Sequence, residues 1–538
     1  MERLDAQVAV VGAGPIGMTL AARLAQHGVS VILLEQHPSH EGEGSKALCM
    51  QRETLEIWGR LGIGEQVARR GVQWNVGRTY FRGRELFSVR LPAQEGDHFP
   101  PFVNISQTEV EEMLLARLTE LPGVELRWGH RLAGIVQDAD GITITCDTPA
   151  GEESVRAAYA VGADGAHSGV RRVLGAGFPG QSYRDLFLIC DIRAALPFPN
   201  ERRLHYDPPW NPGRQVLIHP QPDGAWRIDW QVSAETDVDA ERTNGALDRR
   251  IRQVVGRDTD YEILWLTAYR FHQRLADRFR IGRVFLAGDA AHVVSPFGAR
   301  GLNSGVADAE NLAWKLALVL DGRAPDALLD TYHAERRAAA LENENVTDAT
   351  MRFMVPHGPL RRLRRNAILR ASLRMRQLRR FVNSGRLAQP FVYVDSPIIL
   401  TSPKPDRRLP QLGAVVPDAA CGILDGSEQI TRLRDLVGDR FLALLVVRGE
   451  EAAASAGVRA ARLSWAAPCR VALLGARKRL AGVTVLDDPR GELRRTYGAA
   501  GSYAFLVRPD GHLAASLPVG RPAVVDALAE LQARAIGA

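Results

Sequence analysis

QVAVVGAGPIGMTLAARLAQHGVSVILLE, residues 7–35, decides the fold. Its first six residues are an apolar run that ends in glycine, which predicts a short buried strand. Residues 15–27 carry Ile16, Leu20 and Leu24 at helical spacing, with Gly28 placed as a C-cap. Residues 29–35 are a second apolar run and close on Glu35. Strand, helix and strand in about 30 residues make the βαβ unit of a doubly wound parallel sheet. The glycines are spaced Gly12-x-Gly14-x-x-Gly17. Gly12 allows the tight turn out of the strand, Gly14 lets a pyrophosphate approach the backbone, and Gly17 lets helix and strand pack closely. The helix N-terminus offers N–H groups to phosphates, and Glu35 accepts hydrogen bonds from ribose hydroxyls. The pattern predicts dinucleotide binding and does not by itself separate FAD from NAD.

Outward from this unit, residues 75–105 read as turn-rich, 108–121 as a helix with Thr108 as N-cap, and 124–147 as alternating strands. From 178 to 275 the pattern changes to short strands, Pro/Gly turns and a concentration of Trp, Tyr and His, which predicts a mostly β segment inserted into the nucleotide-binding domain. Residues 283–288 (RVFLAG) return to a buried parallel strand, a long helix follows over 303–320, and helices continue to about 385. Pro397, Pro403, Pro405 and Pro410 mark a boundary, and residues 413–538 read as a separate α/β domain. The expected division is 1–177 with 276–395, 178–275, and 400–538.

The 538 residues are 46% apolar and 24% charged, the balance of a globular protein of several domains. The N-terminus reads as a first strand rather than a signal peptide, and no run approaches the roughly 20 apolar residues of a membrane span. Cys49, Cys146, Cys190, Cys421 and Cys469 are scattered, odd in number and without a CxxC pair. They read as free thiols of a cytoplasmic protein, with no metal site. The net charge of +6 is concentrated in residues 360–380 (LRRLRRNAILRASLRMRQLRR). Without aromatic interleaving, this stretch reads as a helix with a solvated face rather than a nucleic-acid or membrane surface.

Two further motifs carry chemistry. One is Gly162-Ala163-Asp164-Gly165, continuing through Ser168 to Arg171. The other is Gly288-Asp289-Ala290-Ala291-His292, followed by Ser295-Pro296-Phe297-Gly298-Ala299-Arg300-Gly301-Leu302-Asn303 and Asp308. In this order and spacing, over residues 5–350, the three motifs resemble the single-component FAD-dependent aromatic hydroxylases. That family includes the phenol, 3-(3-hydroxyphenyl)propionate and polyketide hydroxylases. The resemblance implies a glutathione-reductase-like Rossmann domain that binds FAD, an inserted β-sheet substrate domain, and a C-terminal thioredoxin-like domain carried by residues 497–516. It also implies NADH or NADPH and O2 as co-substrates, and hydroxylation of a phenolic compound through a flavin C4a-hydroperoxide. The same chemistry directed to Baeyer–Villiger insertion or epoxidation of a polycyclic metabolite is the alternative, and a non-catalytic FAD-binding scaffold is the remote one.

The resemblance implies site residues by position. Asp289 would bond the ribityl chain or ribose, and Asp164 would serve FAD and NAD(P)H, with Ser168 and Arg171 supporting the loop or a phosphate. Arg52 and Gln107 would contact FAD, Gly301, Leu302 and Asn303 would open a helix beneath the flavin, and Pro296 would lie where O2 reacts. Two positions depart from the family: Lys46 stands in place of Arg and loses the bidentate fork, and Arg300 stands in place of Gln. Arg300 either holds an anion or pairs with a carboxylate and braces the loop. Candidate pocket residues are Tyr206, Trp210, His219, Trp226, Trp230 and His272, with His219 or His272 as the substrate-activating base. The expected partners are a small aromatic substrate and, through the C-terminal domain, a second copy of the chain as a homodimer.

Overall fold

The structure is a computed structural model. It describes residues 4–40, 47–91, 98–356, 358–382, 389–400, 406–424, 430–499, 501–519 and 523–537. β1 (Ala6–Val11), α1 (Pro15–Gln26) and β2 (Val31–Leu34) form the expected βαβ unit. β3 (Cys49–Gln51) and α2 (Arg52–Arg60) follow, and then the antiparallel pair β4 (Val76–Phe81) and β5 (Arg84–Arg90). α3 (Gln107–Glu120), β6 (Val124–Arg127) and β7 (Gly151–Gly162) bring the chain back to the first sheet. Next come β8 (Gly180–Ala194), β9 (Arg202–Tyr206), β10 (Gln215–Pro220), β11 (Ala225–Val232), α4 (Ala246–Val255) and β12 (Tyr261–Leu275). β13 (Val284–Leu286) leads into the long helices α5 (Gly301–Leu320) and α6 (Asp330–Met354). α7 (Pro359–Ala371) is the arginine-rich helix, largely exposed as expected, with Arg365 and Leu369 turned inward.

The first sheet has a parallel core in the order β13-β7-β1-β2-β6. β1, β2 and β13 are buried on both faces, as a doubly wound sheet requires. The second sheet runs β12-β8-β11-β10-β9-β4-β5. It therefore recruits β4 and β5 from the stretch expected to be turn-rich, with β4 parallel to β9. The hairpin was hidden because its strands mix Arg78, Arg84, Glu85 and Arg90 with apolar residues without a strict alternation, and Arg82 and Gly83 both take positive φ at its turn. The third sheet includes β14 (Phe441–Val446), β15 (Cys469–Leu474), β16 (Thr484–Asp487), β17 (Tyr503–Val507) and β18 (Leu513–Pro518). β14, β15 and β16 are parallel, and β17 and β18 complete the sheet antiparallel. No helix among the described residues is long and apolar enough to cross a membrane.

A buried charge cluster joins the third sheet to the helices of the first. Glu335 on α6 accepts from Arg508 Nη1 (2.5 Å) and Nη2 (2.9 Å), Lys315 Nζ (2.7 Å) and Ser396 Oγ (2.5 Å). Asp510 also pairs with Arg508. The next residue, Arg336, donates to Asp308 Oδ1 at 2.6 Å, and Asp308 Oδ2 accepts from the backbone N of Gly288 (2.9 Å) and from His292 Nε2 (2.7 Å). The C-terminal sheet thus braces the helix that holds the Gly288 turn.

Breaking a buried ion pair by neutralising one member leaves the other uncompensated. Glu335→Gln is therefore expected to lower the unfolding free energy by about 3 kcal/mol, read by urea denaturation at pH 7. Against the upward push of burial, Arg508 and Lys315 hold Glu335 well below its ordinary value of 4.5. A carboxylate depressed in this way stabilises fully above its unfolded value and less as pH falls below it. The difference between wild type and variant should accordingly shrink below about pH 4.5.

Candidate functional site

The site begins at the turn between β1 and α1. Gly12 has φ +105°, and a Cβ there would lie 2.6 Å from the carbonyl oxygen of Ala163. A Cβ on Gly17 would lie 1.9 Å from the carbonyl oxygen of Gly12, so helix and strand touch backbone to backbone. A Cβ on Gly14 would meet nothing within 4 Å. Gly12 and Gly17 make the tight turn and the close packing expected of them, and Gly14 opens onto free space at the N-terminus of α1, where as N-cap it offers no side chain. Glu35 closes the turn by accepting from the backbone N of Ala13 at 2.8 Å.

The second and third motifs meet this turn. Asp164 Oδ2 accepts from the backbone N of Val170 at 3.0 Å, while its Oδ1 is enclosed and meets no donor among the described residues. Arg171 donates to the carbonyls of Ala290 and Ala166, both at 2.8 Å, so it braces the loop rather than facing a phosphate. Asp289 is exposed at the end of β13, and its charge reaches Tyr269 on the second sheet. The Pro296–Ala299 turn follows, with Pro296 exposed and Ala299 held at φ +55°. That backbone strain is borne by Asn303, whose Nδ2 donates to Ala299 O (2.6 Å) and Cys49 O (2.9 Å). Asn303 Oδ1 accepts from Gln51 N (3.0 Å) and Thr54 Oγ1 (2.7 Å). Arg300, the N-cap of α5, makes no side-chain capping bond to its first turn at Gly301 and Leu302. Arg300 is buried and donates to Asn343 on α6, so it braces the loop.

Arg52 opens α2 and donates from Nε to the carbonyl of Phe99 at 3.0 Å. Gln107 opens α3, accepts from Ala47 N at 3.3 Å and donates to Glu111 at 2.8 Å. Lys46 lies outside the described residues. The Gly14 opening, two uncapped helix N-termini and the enclosed, partnerless Asp164 Oδ1, Gln51 Oε1 and Ser295 Oγ fit a long polar ligand with phosphates at one end. A family model described as "FAD binding domain" matches residues 5–347. The chain belongs to this family. FAD is therefore the group these residues fit.

Among its relatives, the chain is 34% identical to the 3-(3-hydroxy-phenyl)propionate/3-hydroxycinnamic acid hydroxylase of Mycobacterium sp. (strain JLS), over 70% of this chain and 65% of that protein. It thus spans just under two thirds of that relative's length. It is 36% identical to the rifampicin monooxygenase of Streptomyces venezuelae, over 64% of this chain and 71% of that protein. Among solved structures, the flavin-dependent monooxygenase PieE, in complex with FAD and substrate, superposes with a TM-score of 0.82 at 25% identity, covering 99% of this chain and 100% of that one.

One face of the second sheet looks toward the FAD site. Residues directly opposite in an antiparallel pair share a face. Phe187, Gln231, Gln215 and Tyr206 therefore form one row with Tyr269, and Ile189, Asp229, Leu217 and Leu204 form the next with Thr267. Asp191, Arg227 and His219 form a third row with Trp265, which Arg202 completes by continuing the register. Phe297, beside Pro296, packs on Phe187 and Phe271 with ring centroids 5.5 and 5.7 Å away. His219 lies 3.9 Å from Cys49 Sγ, and the Cys49 carbonyl is bound by Asn303. The loop over the flavin site thus rests on this face.

Of the residues expected to line a pocket, the structure brings Tyr206 and His219 to this face. Trp226 and Trp230 fall on the opposite face, in an apolar core with Ile228, Leu247 and Ile251, and Trp210 packs against that core. They were misplaced because aromatic content alone does not distinguish the two faces of a strand. His272 lies beyond a register shift, half-buried, with Nδ1 bonded to Ser182 Oγ at 2.8 Å. Burial and the cations Arg202 and Arg227 push His219 well below its ordinary value, so it is neutral and weakly basic. Sequence reasoning missed Arg202, Asp229 and the buried Asp191–Arg227 pair, whose two contacts are both 2.8 Å.

Gly14→Ala is expected to leave stability within about 0.5 kcal/mol, because its φ of −73° suits any residue. It should weaken FAD binding at least tenfold. Gly17→Ala should instead destabilise the fold by at least about 1–3 kcal/mol by overpacking. Thermal unfolding of the apoprotein, with FAD titration by flavin fluorescence, separates the two.

Proposed function

We propose that the chain is a flavoprotein monooxygenase that uses NADH or NADPH and O2 to hydroxylate a small phenolic aromatic. The observation that carries this reading is the polar face of the second sheet lying against the flavin-site loop. A cofactor site faced by an enclosed wall of mixed aromatic and ionisable groups suits an aromatic ring bearing a hydroxyl. The named relatives support the same class: hydroxyphenylpropionate and hydroxycinnamate are phenolic acids.

Gly14, Glu35, Arg52, Gln107, Asp164, Asp289 and the Gly301–Leu302–Asn303 N-terminus would hold FAD, with Lys46 as a further phosphate contact. When bound, FAD supplies hydride acceptance from the nicotinamide and activation of O2. The chain's own contribution is to bind, orient and exclude water. Uncapped N–H groups at the start of α5 favour negative charge beside them. Phe187, Phe271 and Phe297 close the sheet side of the site with apolar surface. Pro296 lies at the turn beside this wall. We also propose the division into an FAD-binding domain (1–177 and 276–395), a substrate domain centred on 178–275, a thioredoxin-like domain (400–538), and residence in the cytoplasm.

The test is to load the purified protein with FAD and follow NADH and NADPH oxidation with a panel of simple phenols, hydroxyphenyl acids and hydroxylated polycyclic compounds. The expected result is aromatic-stimulated oxidation with a product that carries one added ring hydroxyl. A lactone or epoxide product would replace the reaction type. Oxidation unstimulated by every member would contradict the reading.

A further inference from the structure

Two ionisable side chains on the flavin-facing rows, Arg202 and Asp229, stand apart from the buried ion pairs around them. Arg202 forms no ion pair and no side-chain hydrogen bond among the described residues, although protein encloses it. Asp229 sits in its row between Leu217 and Ile189, and its Oδ1 meets no donor. A buried charge without a partner is costly, and among the described residues neither side chain has one. Arg202, Asp229 and Cys49 are deeply enclosed, yet each keeps part of its surface accessible. Arg202 and Asp229 group on the flavin-facing side of the sheet, near Cys49. Gln215, with both amide atoms partnerless, and Gln231 Oε1 lie in the adjoining row.

This group adjoins the flavin site. Cys49 feels the charges of Arg202 and Asp229, and its backbone carbonyl is held by Asn303 in the first turn of α5. Arg202 and Asp229 stand two strands and one row apart, about 12 Å at the backbone, and their charges act on one another. A phenolic oxygen placed between them would meet a carboxylate on one side and a guanidinium on the other.

We infer that Asp229 accepts the proton of the substrate's ring hydroxyl and that Arg202 holds the phenolate oxygen so formed. The step breaks the phenol O–H bond and forms a carboxyl O–H bond on Asp229, with no change of oxidation state. The phenolate pushes electron density into the ring, which favours attack at carbons ortho and para to the oxygen. This inference rests on the phenolic reading above and deepens it by placing the reacting hydroxyl.

The surroundings suit the role. Burial pushes Asp229 up to about 7 against the pull of Arg227 and Arg202, with Asp191 adding to the rise. Arg227 is occupied by Asp191. His219 is neutral, and burial raises the Cys49 thiol to about 12, so neither competes for the proton near neutrality. Cys190 also feels Asp229, and burial likewise raises its thiol to about 12. A base near the working pH is the efficient one, and an arginine beside the product oxygen lowers the phenol toward it.

The experiment uses FAD-loaded enzyme and any panel phenol that stimulates oxidation. In wild type, kcat/KM should fall about tenfold per pH unit below about pH 7, where Asp229 is protonated. Asp229→Asn should abolish that acid limb and lower kcat/KM at pH 8 by about 100-fold or more. Arg202→Met should raise KM at least tenfold, and Arg202→Lys should recover part of it. The second readout needs no turnover: at pH 7, without NAD(P)H, ultraviolet difference spectra of the bound phenol should show the phenolate band with wild type and not with Asp229→Asn. A wild-type profile flat from pH 6 to 8, or a phenolate band retained in Asp229→Asn, overturns the inference while oxidation of the phenol leaves the proposed function standing. If no phenol stimulates oxidation, the functional reading fails first and this inference with it.

Discussion

The architecture depends on a backbone contact with no side chains between its two halves. α1 lies so close to β1 that a single methyl at Gly17 would overlap the Gly12 carbonyl. From the other side, Ile16 fills the space left by two glycines far along the chain: a Cβ at Gly305 would lie 2.6 Å from its Cδ1, and one at Gly288 would lie 3.0 Å from its Cγ1. This grip sets α5 against α1 and brings the 288–305 segment over the glycine turn. Asp308 then ties the Gly288 backbone and His292 to Arg336. Residues separated by nearly 300 positions become one cofactor cradle because nothing larger than hydrogen fits where they cross.

The second sheet adds a different constraint, the period of two along a strand. β10 and β11 present Val216, Ile218, Ile228 and Trp230 to an apolar core on one side. On the other they present His219, Arg227, Asp229 and Gln231 to the cofactor side. A shift of one residue in register would exchange these sets. The buried Asp191–Arg227 pair sits on β8 and β11 in register, so it helps to hold the alignment that places Asp229 in its row.

Much of this was legible in the sequence. The Gly12-Gly14-Gly17 turn, Glu35 and the helix after Gly301 follow from local pattern, because each needs particular residue types at adjacent positions, whereas the Asp164 loop was read through family resemblance. Asp289 and Asn303 were legible through family resemblance, although the load that Asn303 bears on Ala299 was not. What escaped depends on non-local pairing. Arg202 and Asp229 look like ordinary strand charges until β9, β10 and β11 are aligned. β4 and β5 were missed because their partner β9 lies more than 100 residues away. The Arg508–Glu335–Lys315 cluster draws on three separate segments, none of which shows a motif. Trp226 and Trp230 were placed in the pocket by composition, and the register put them behind it.

The central claim is that FAD and an aromatic ligand share one enclosed space, with the ligand held against the polar face of the second sheet. The most direct measurement is the visible absorption spectrum of the FAD-loaded protein during titration with a phenolic ligand whose binding is followed in parallel by calorimetry. The account predicts a saturable shift of the flavin bands, with the same midpoint as the heat of binding. A ligand that binds by calorimetry and leaves the flavin bands unchanged at saturation would contradict it.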